Sequence, residues 1–129
     1  MIAIDASAIL AILLDEPEAE PIRDLLRRTG GAITPVNHWE VTARAFVVLG
    51  ETGPAEAEAL MEAYGVTVQS ISGDHAKVAA EAFRRFGKRS PAKLNLGDCF
   101  AYALAATEGE GLLFKGDDFT KTDVKSALA

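Results

Sequence analysis

The chain has 129 residues, of which 49% are hydrophobic and 25% charged, with a formal net charge of −6 at pH 7. These values indicate one globular domain over residues 1–129, large enough for a sizeable core, and argue against a protein that coats nucleic acid. No apolar run is long enough to span a membrane, no basic segment precedes the apolar N-terminus as in a signal peptide, and the single cysteine, Cys99, fits a reducing cytoplasm.

The first third of the chain alternates short apolar runs with helical patterns. We predict a buried strand over residues 2–5, followed by a helix over residues 6–14 with Ser7 as a possible cap. A second helix is predicted over residues 18–28, because its apolar residues recur at helical spacing. A short strand is expected at residues 32–34, where a proline follows.

Two further helices and a strand are predicted in the middle of the chain. The first helix covers residues 36–49 and the second covers residues 55–64, and a strand follows at residues 66–68. The residues expected to face the core are Val41, Ala45, Val48 and Leu49 in the first helix and Ala59, Leu60 and Ala63 in the second.

The last part of the chain begins with a helix over residues 74–86, whose inner face is expected to hold Val78, Ala82 and Phe86. A basic loop leads to an apolar helix over residues 97–107, a core strand is expected at residues 112–114, and a short helix near residues 122–128. Strands that alternate with helices predict an α/β layer structure with a mostly parallel sheet.

Acidic residues stand at four places where predicted strands end or helices begin. Asp5 ends the first strand, Glu40 lies one turn into its helix, Asp98 lies in the first turn of another helix, and Asp117 and Asp118 follow the last strand. Because binding sites in α/β sheets form beyond the carboxyl ends of the strands, we expect these side chains to converge. Helix capping would explain any one of these acids. It explains less well why acids occur at all four places, each next to an apolar segment.

A cluster of carboxylates predicts a site for a hard divalent cation, chiefly Mg²⁺ or Mn²⁺. Such a cation lowers the pKa of a bound water and supports attack on phosphorus. The sequence offers no competing metal site or nucleophile, because neither histidine nor the cysteine has a suitable partner nearby. We expect His38 to be structural or at the surface, His75 to face solvent, and Cys99 to be buried. The phosphate-binding motifs of nucleoside triphosphate and dinucleotide sites are absent.

Basic residues gather just before Asp98 and among the late acids. They are Arg84, Arg85, Lys88, Arg89, Lys93 and Lys115. A basic patch beside an acidic site suits a phosphodiester substrate, although a solvated helix end and loop is an equally open interpretation.

Four segments together resemble the PIN-domain ribonucleases, specifically the VapC-type toxins of bacterial type II toxin–antitoxin pairs. The segments are residues 4–8, 37–41, 94–105 and 112–119, and the likeness covers essentially the whole chain. The last two segments are the most specific.

The resemblance implies a three-layer α/β/α sandwich with a parallel sheet, binding of Mg²⁺ or Mn²⁺ by clustered carboxylates, and cleavage of RNA. Asp5, Glu40 and Asp98 match the motif positions of the family as catalytic residues and metal ligands. In the closing segment Asp118 matches the acid that family members keep, while Asp117 stays open as the acid nearer the metal. The resemblance further implies a VapB-type antitoxin that blocks the site, and a homodimer.

Three other interpretations compete with this one. A phosphatase of the haloacid-dehalogenase type would need a second Asp at position 7, where Ser7 stands, and a receiver domain would need a paired acidic dipeptide near Asp5. A PIN fold that serves only as an interaction module would not need every acidic position, and all are present.

Overall fold

A parallel four-stranded sheet forms the centre of the computed structural model, which describes residues 1–128. The strands lie in the order β3-β2-β1-β4, and every strand pairing in the described part of the chain is parallel. The strands are β1 (Ala3–Ile4), β2 (Gly31–Ile33), β3 (Val66–Val68) and β4 (Leu112–Leu113). The predicted α/β architecture with a parallel sheet is confirmed.

Six helices within residues 1–128 connect and cover these strands. They are α1 (Ala6–Leu13), α2 (Ala19–Thr29), α3 (Pro35–Leu49), α4 (Gly53–Ala63), α5 (Gly73–Phe86) and α6 (Leu96–Glu108), with 3₁₀ turns at Gly50–Thr52 and Asp118–Lys121. Each predicted helix up to residue 107 is confirmed within two residues at either end. None of the helices in residues 1–128 is long and apolar enough to cross a membrane.

Strand alternation divides the core into two clusters, one on each face of the sheet. Ile4, Ile33 and Leu113 point into a cluster with α1 to α4. The neighbouring residues Ala3 and Leu112 point into a second cluster, formed largely by α5 and α6. Because both faces are covered by helices, the sandwich has the three layers that the resemblance implied.

The predicted helix at residues 122–128 is wrong. This stretch contains bends and a turn, and Ser126 forms a parallel bridge with Leu112 of β4. The Leu112 N–H donates to the Lys125 carbonyl at 2.8 Å, and the Ala127 N–H donates to the Leu112 carbonyl at 2.9 Å. Because β4 is at the edge of the sheet, its backbone groups need partners, and the tail supplies them.

The predicted inner face of α3 is only half right. Val41 and Ala45 are fully buried, whereas Val48 is 45% exposed and Leu49 is 39% exposed. Gly53 at the start of α4 packs so closely on the Ala45 carbonyl that a Cβ there would lie 2.2 Å from its oxygen. Packing by α4 therefore covers α3 at Ala45 and leaves its last turn open.

The inner face of α4 was assigned to the wrong side. Ala59 and Ala63 are exposed, and only Leu60 packs at the edge of the core. The buried line is Gly53, Ala57 and Met61. Alanines stand on several sides of this helix, so the close approach of α3 and the large side chain of Met61 decide which side faces inward. On α5 the prediction is confirmed, with Val78, Ala82 and Phe86 in the second cluster.

Candidate active site

Asp5 leaves the end of β1 and begins α1. It is only 4% exposed, and its Oδ2 accepts a hydrogen bond of 3.0 Å from the Ser7 N–H. Asp5 is therefore the N-cap of α1, and the suggested capping role of Ser7 is wrong, because Ser7 already lies inside the first turn. The Ser7 hydroxyl oxygen instead accepts the Lys115 N–H at 3.0 Å, which joins α1 to the loop after β4.

Glu40 is held by a buried polar residue one turn earlier in α3. The Asn37 side chain is fully buried, and its Oδ1 accepts a hydrogen bond of 2.6 Å from the Thr34 hydroxyl. Its amide Nδ2 therefore faces the other way, donating to Glu40 Oε1 at 2.7 Å and to the Gly97 carbonyl at 2.9 Å. Asn37 thus orients the Glu40 carboxylate and ties it to the beginning of α6.

Asp98 occupies the first turn of α6 in a reciprocal pair of hydrogen bonds. The Asn95 side chain accepts from the Asp98 N–H at 2.9 Å, and Asp98 Oδ2 accepts from the Asn95 N–H at 3.0 Å. This arrangement satisfies two backbone donors at the helix start and fixes the side-chain rotamer. Asn95 is therefore the N-cap of α6 and Asp98 completes the capping box, while the second carboxylate oxygen of Asp98, Oδ1, is left for other contacts.

These three carboxylates line one open cavity of about 440 Å³. Asp5 and Glu40 belong to segments that directly follow β1 and β2, beyond the carboxyl ends of those strands. The beginning of α6 brings Asp98 to the same cavity. The remaining lining residues are Ala6, Ser7 and Leu10 of α1, and Trp39, Ala43, Arg44 and Val47 of α3. Asp117 and Asp118 do not line the cavity and are exposed.

The carboxylates raise one another's pKa. Burial raises the pKa of Asp5 to about 6, and the charge of Glu40 adds to the effect. Burial also raises the pKa of Asp98 to about 6, with further contributions from the charges of Asp5 and Asp118. The pKa of Glu40 is raised by burial and by the charge of Asp98. The cavity therefore concentrates negative charge that a cation would stabilise.

The last acidic pair is not symmetrical. Asp118 begins the 3₁₀ turn after β4, and its charge contributes to the raised pKa of Asp98, whereas Asp117 is not among the groups that do so. Asp118 is thus the member of the pair with an electrostatic connection to the cavity.

The donor chemistry fits a hard cation that keeps part of its water shell. Within residues 1–128 no three acidic, histidine or cysteine side chains are arranged to enclose a metal ion by themselves. Magnesium is usually held by one or two carboxylates together with water and substrate oxygens, so a fully formed protein cage is not required. Asp5, Glu40 and Asp98 offer such oxygens on one wall of the cavity.

The histidines and the cysteine have structural surroundings. His38 pairs with Glu58 at 2.9 Å, between α3 and α4, and His75 pairs with Glu108 at 2.5 Å, between α5 and α6. The His75 side chain is only 13% exposed, so the expectation that it faces solvent is wrong. Cys99 is buried as predicted, and burial raises the pKa of its thiol to about 11, which keeps it protonated.

The basic residues expected to steer a substrate do not line the cavity. Arg84 pairs with Glu81, Arg85 pairs with Asp123, and Lys115 pairs with Glu16 at 2.6 Å.

Three residues at the site escaped the sequence analysis. Asn37, Trp39 and Arg44 all belong to α3 and stand at positions −3, −1 and +4 relative to Glu40. For Asn37 and Arg44 the spacing from Glu40 was the available signal, since residues three and four apart share a helix face. Trp39 directly precedes Glu40, and helical spacing gives no such signal for it.

Comparisons with known proteins agree with this architecture. The family model described as "PIN domain" matches residues 2–125. Ribonuclease VapC42 of Mycobacterium tuberculosis is 39% identical over 130 residues, covering 96% of this chain and 97% of the relative. Ribonuclease VapC of Mycolicibacterium smegmatis is 41% identical over 128 residues, covering 94% and 95%.

A solved structure shares the fold. The crystal structure of Mycobacterium tuberculosis VapC20, described as a toxin that cleaves the sarcin-ricin loop, superposes with a TM-score of 0.77 over 96% of each chain. Its sequence identity is 15%, so this likeness concerns the fold alone.

Proposed function

The chain belongs to the PIN domain family, and on that premise we propose that it is a Mg²⁺- or Mn²⁺-dependent endoribonuclease, the toxin of a toxin–antitoxin pair. The observation that carries the proposal is the convergence of Asp5, Glu40 and Asp98 on one cavity with raised pKa values. The haloacid-dehalogenase and receiver interpretations concern other families and are set aside.

The residues of the chain supply the positions at which a cation would be held. Asp5, Glu40 and Asp98 would bind it, with Asp118 as the fourth acid. When bound, a divalent cation supplies a water of lowered pKa and neutralises charge on the phosphodiester. Asn37 holds the Glu40 carboxylate in one orientation, and the capping hydrogen bonds hold Asp5 and Asp98, so the carboxylates lose little further freedom when a cation binds.

Asp118 is proposed over Asp117 as the working member of the last pair. Support comes from the electrostatic effect of Asp118 on Asp98 and from its place at the start of the 3₁₀ turn. The backbone of the loop before this turn is tied to α1, because the Lys115 N–H donates to the Ser7 hydroxyl oxygen. Asp117 precedes the turn and is not among the charges that raise the pKa of Asp98.

We expect two partners besides RNA. Relatives of this chain are named VapC ribonucleases, which supports a cognate VapB-type antitoxin that covers the cavity and stops cleavage. A homodimer is proposed from the family resemblance. Sedimentation of the chain alone tests the homodimer, and a loss of RNA cleavage at stoichiometric antitoxin tests the inhibitor.

The central experiment measures RNA cleavage in Mg²⁺ and in Mn²⁺. The wild type should cleave in at least one of these metals, and Asp98→Asn should not. Asp74→Asn is a matched control, because Asp74 also lies in the first turn of a capped helix but outside the cavity. Full cleavage by Asp98→Asn would contradict the role of Asp98 in the site. No cleavage by the wild type in any divalent metal would contradict the ribonuclease proposal and would leave a non-catalytic interaction module.

A further inference from the structure

Trp39 is exposed in a way that packing does not explain. It is the only tryptophan of the chain, it is 67% exposed, and it lines the cavity from the position directly before Glu40. A tryptophan normally covers much of its large apolar surface inside the protein or at an interface. The indole ring is therefore available to a ligand that reaches the carboxylates.

Arg44 offers a positive charge to the same cavity. It is exposed and lies one helical turn after Glu40, a spacing at which an arginine often pairs with a glutamate. Here the Glu40 carboxylate accepts its hydrogen bond from Asn37 instead. Within residues 1–128, Arg44 is not among the arginines that form ion pairs. The Arg44 guanidinium is thus free to bind an anion, and it is the one basic side chain among the residues that line the cavity.

The two side chains stand on either side of Glu40 along one helix. Trp39 and Arg44 are five residues apart, about 7.5 Å along the axis of α3 at 1.5 Å per residue. Ala43 lies between them and is small, so the wall of the cavity is open at this point. Successive nucleotides of a single strand present a base and a phosphate over a comparable distance.

We propose that Trp39 stacks on an unpaired base beside the scissile phosphodiester and that Arg44 binds a neighbouring phosphate. This inference rests on the proposed ribonuclease function. A base inside a duplex has both faces covered by its neighbours and cannot stack on the indole, whereas an unpaired base in a loop can. Every base has an aromatic face, so this contact favours unpaired RNA without fixing its sequence.

The fluorescence of Trp39 tests the stacking contact directly, because no other tryptophan contributes to the emission. The full chain carrying Asp98→Asn, which should not cleave, is titrated in Mg²⁺ with a short single-stranded RNA and with the same sequence as a duplex. The single strand should quench the emission and the duplex should not. Equal quenching by both, or binding of the single strand without a change in emission, would overturn the inference.

Substitutions in the same background separate the two contacts. Trp39→Ala should weaken binding of a labelled single strand roughly 10- to 100-fold, while Trp39→Phe keeps most of the affinity. Arg44→Gln should weaken binding and lower the slope of log K against log salt concentration by about 0.7. Arg28→Gln is the control, since Arg28 is an exposed arginine of α2 outside the cavity and should change neither.

The outcomes keep this inference distinct from the proposed function. If the wild type cleaves RNA and Trp39→Ala cleaves a single strand with the same kcat/KM, the inference is wrong and the ribonuclease proposal stands. If Trp39→Ala keeps its RNA affinity but no longer binds the antitoxin, this wall is a protein-docking surface and the inference is wrong. If the wild type cleaves no RNA but a single strand quenches Trp39, the binding site is retained and the catalytic proposal fails.

Discussion

The side-chain amide of Asn37 donates a hydrogen bond of 2.7 Å to Oε1 of Glu40, and this contact sets the geometry of the candidate site. The same amide also donates to the Gly97 carbonyl at 2.9 Å, so a single buried residue of α3 connects one carboxylate to the start of α6. Because the Thr34 hydroxyl occupies the other end of the amide, the orientation of Asn37 is determined.

Replacing Asn37 with alanine should weaken metal binding. The substitution leaves the Gly97 carbonyl without its donor and releases the Glu40 carboxylate, so we expect Mn²⁺ affinity to fall about 10- to 100-fold. Loss of the buried hydrogen bonds should also lower the free energy of unfolding by about 1 to 3 kcal/mol. Calorimetric titration and urea unfolding measure the two effects. Thr34→Ser keeps the orienting hydroxyl and should bind Mn²⁺ like the wild type.

Gly97 is the second residue on which the position of Glu40 depends. A Cβ at this position would lie 2.2 Å from Glu40 Oε2, so Gly97→Ala should displace the carboxylate and reduce kcat/KM at least 10-fold. Gly73→Ala provides the matched control, because Gly73 also lies in the first turn of a helix and nothing stands within 4 Å of its added Cβ. Cleavage assays compare the two variants, and equal activity would show that Glu40 tolerates the shift.

The two late acids should respond differently to removal of their charge. Asp118→Asn removes one of the charges that raise the pKa of Asp98 and should weaken both Mg²⁺ binding and RNA cleavage about 10-fold. Asp117→Asn should leave both quantities within about twofold of the wild type. Metal titrations on the two variants measure the difference, and a larger loss in Asp117→Asn would reverse the assignment.

Without metal, the folded protein should lose stability as the pH rises. Burial raises the pKa of Asp5 from its ordinary value of 3.8 to about 6, so folding favours the protonated form. The stabilisation is complete below the unfolded pKa and is lost as the pH passes through 6, a change on the order of 2 to 3 kcal/mol. Mn²⁺ should therefore raise the melting temperature more at pH 7 than at pH 5.

Asp5→Asn serves as the reference for this pH effect. Asparagine is also a good N-cap, so α1 should remain intact while the titrating group is removed. Urea unfolding in a chelating buffer at pH 5 and pH 7 should show a smaller pH dependence in the variant than in the wild type. The same pH dependence in both proteins would exclude Asp5 as its source.

Local sequence signals determined most of the elements. Pro35 stands at the first position of α3, Ser72 and Asn95 cap α5 and α6, and apolar spacing marks the helices between them. Such signals act over a few residues, which is why the helix bounds were predicted within two residues. The inner faces were predicted less well. Val48 and Ala59 fit the helical spacing of core residues, but no neighbouring helix packs over them.

The sequence by itself determined that acids stand at the ends of strands and the beginnings of helices, since each position follows from its own segment. Only the tertiary structure decided what surrounds them. Asn37 reaches Gly97 across 60 residues and Ser7 meets Lys115 across 108. The pairing of Arg85 with Asp123 and of Lys115 with Glu16, and the exposure of Trp39, are likewise decided between elements. Those contacts depend on how helices pack on the sheet, and no periodicity within a single segment encodes them.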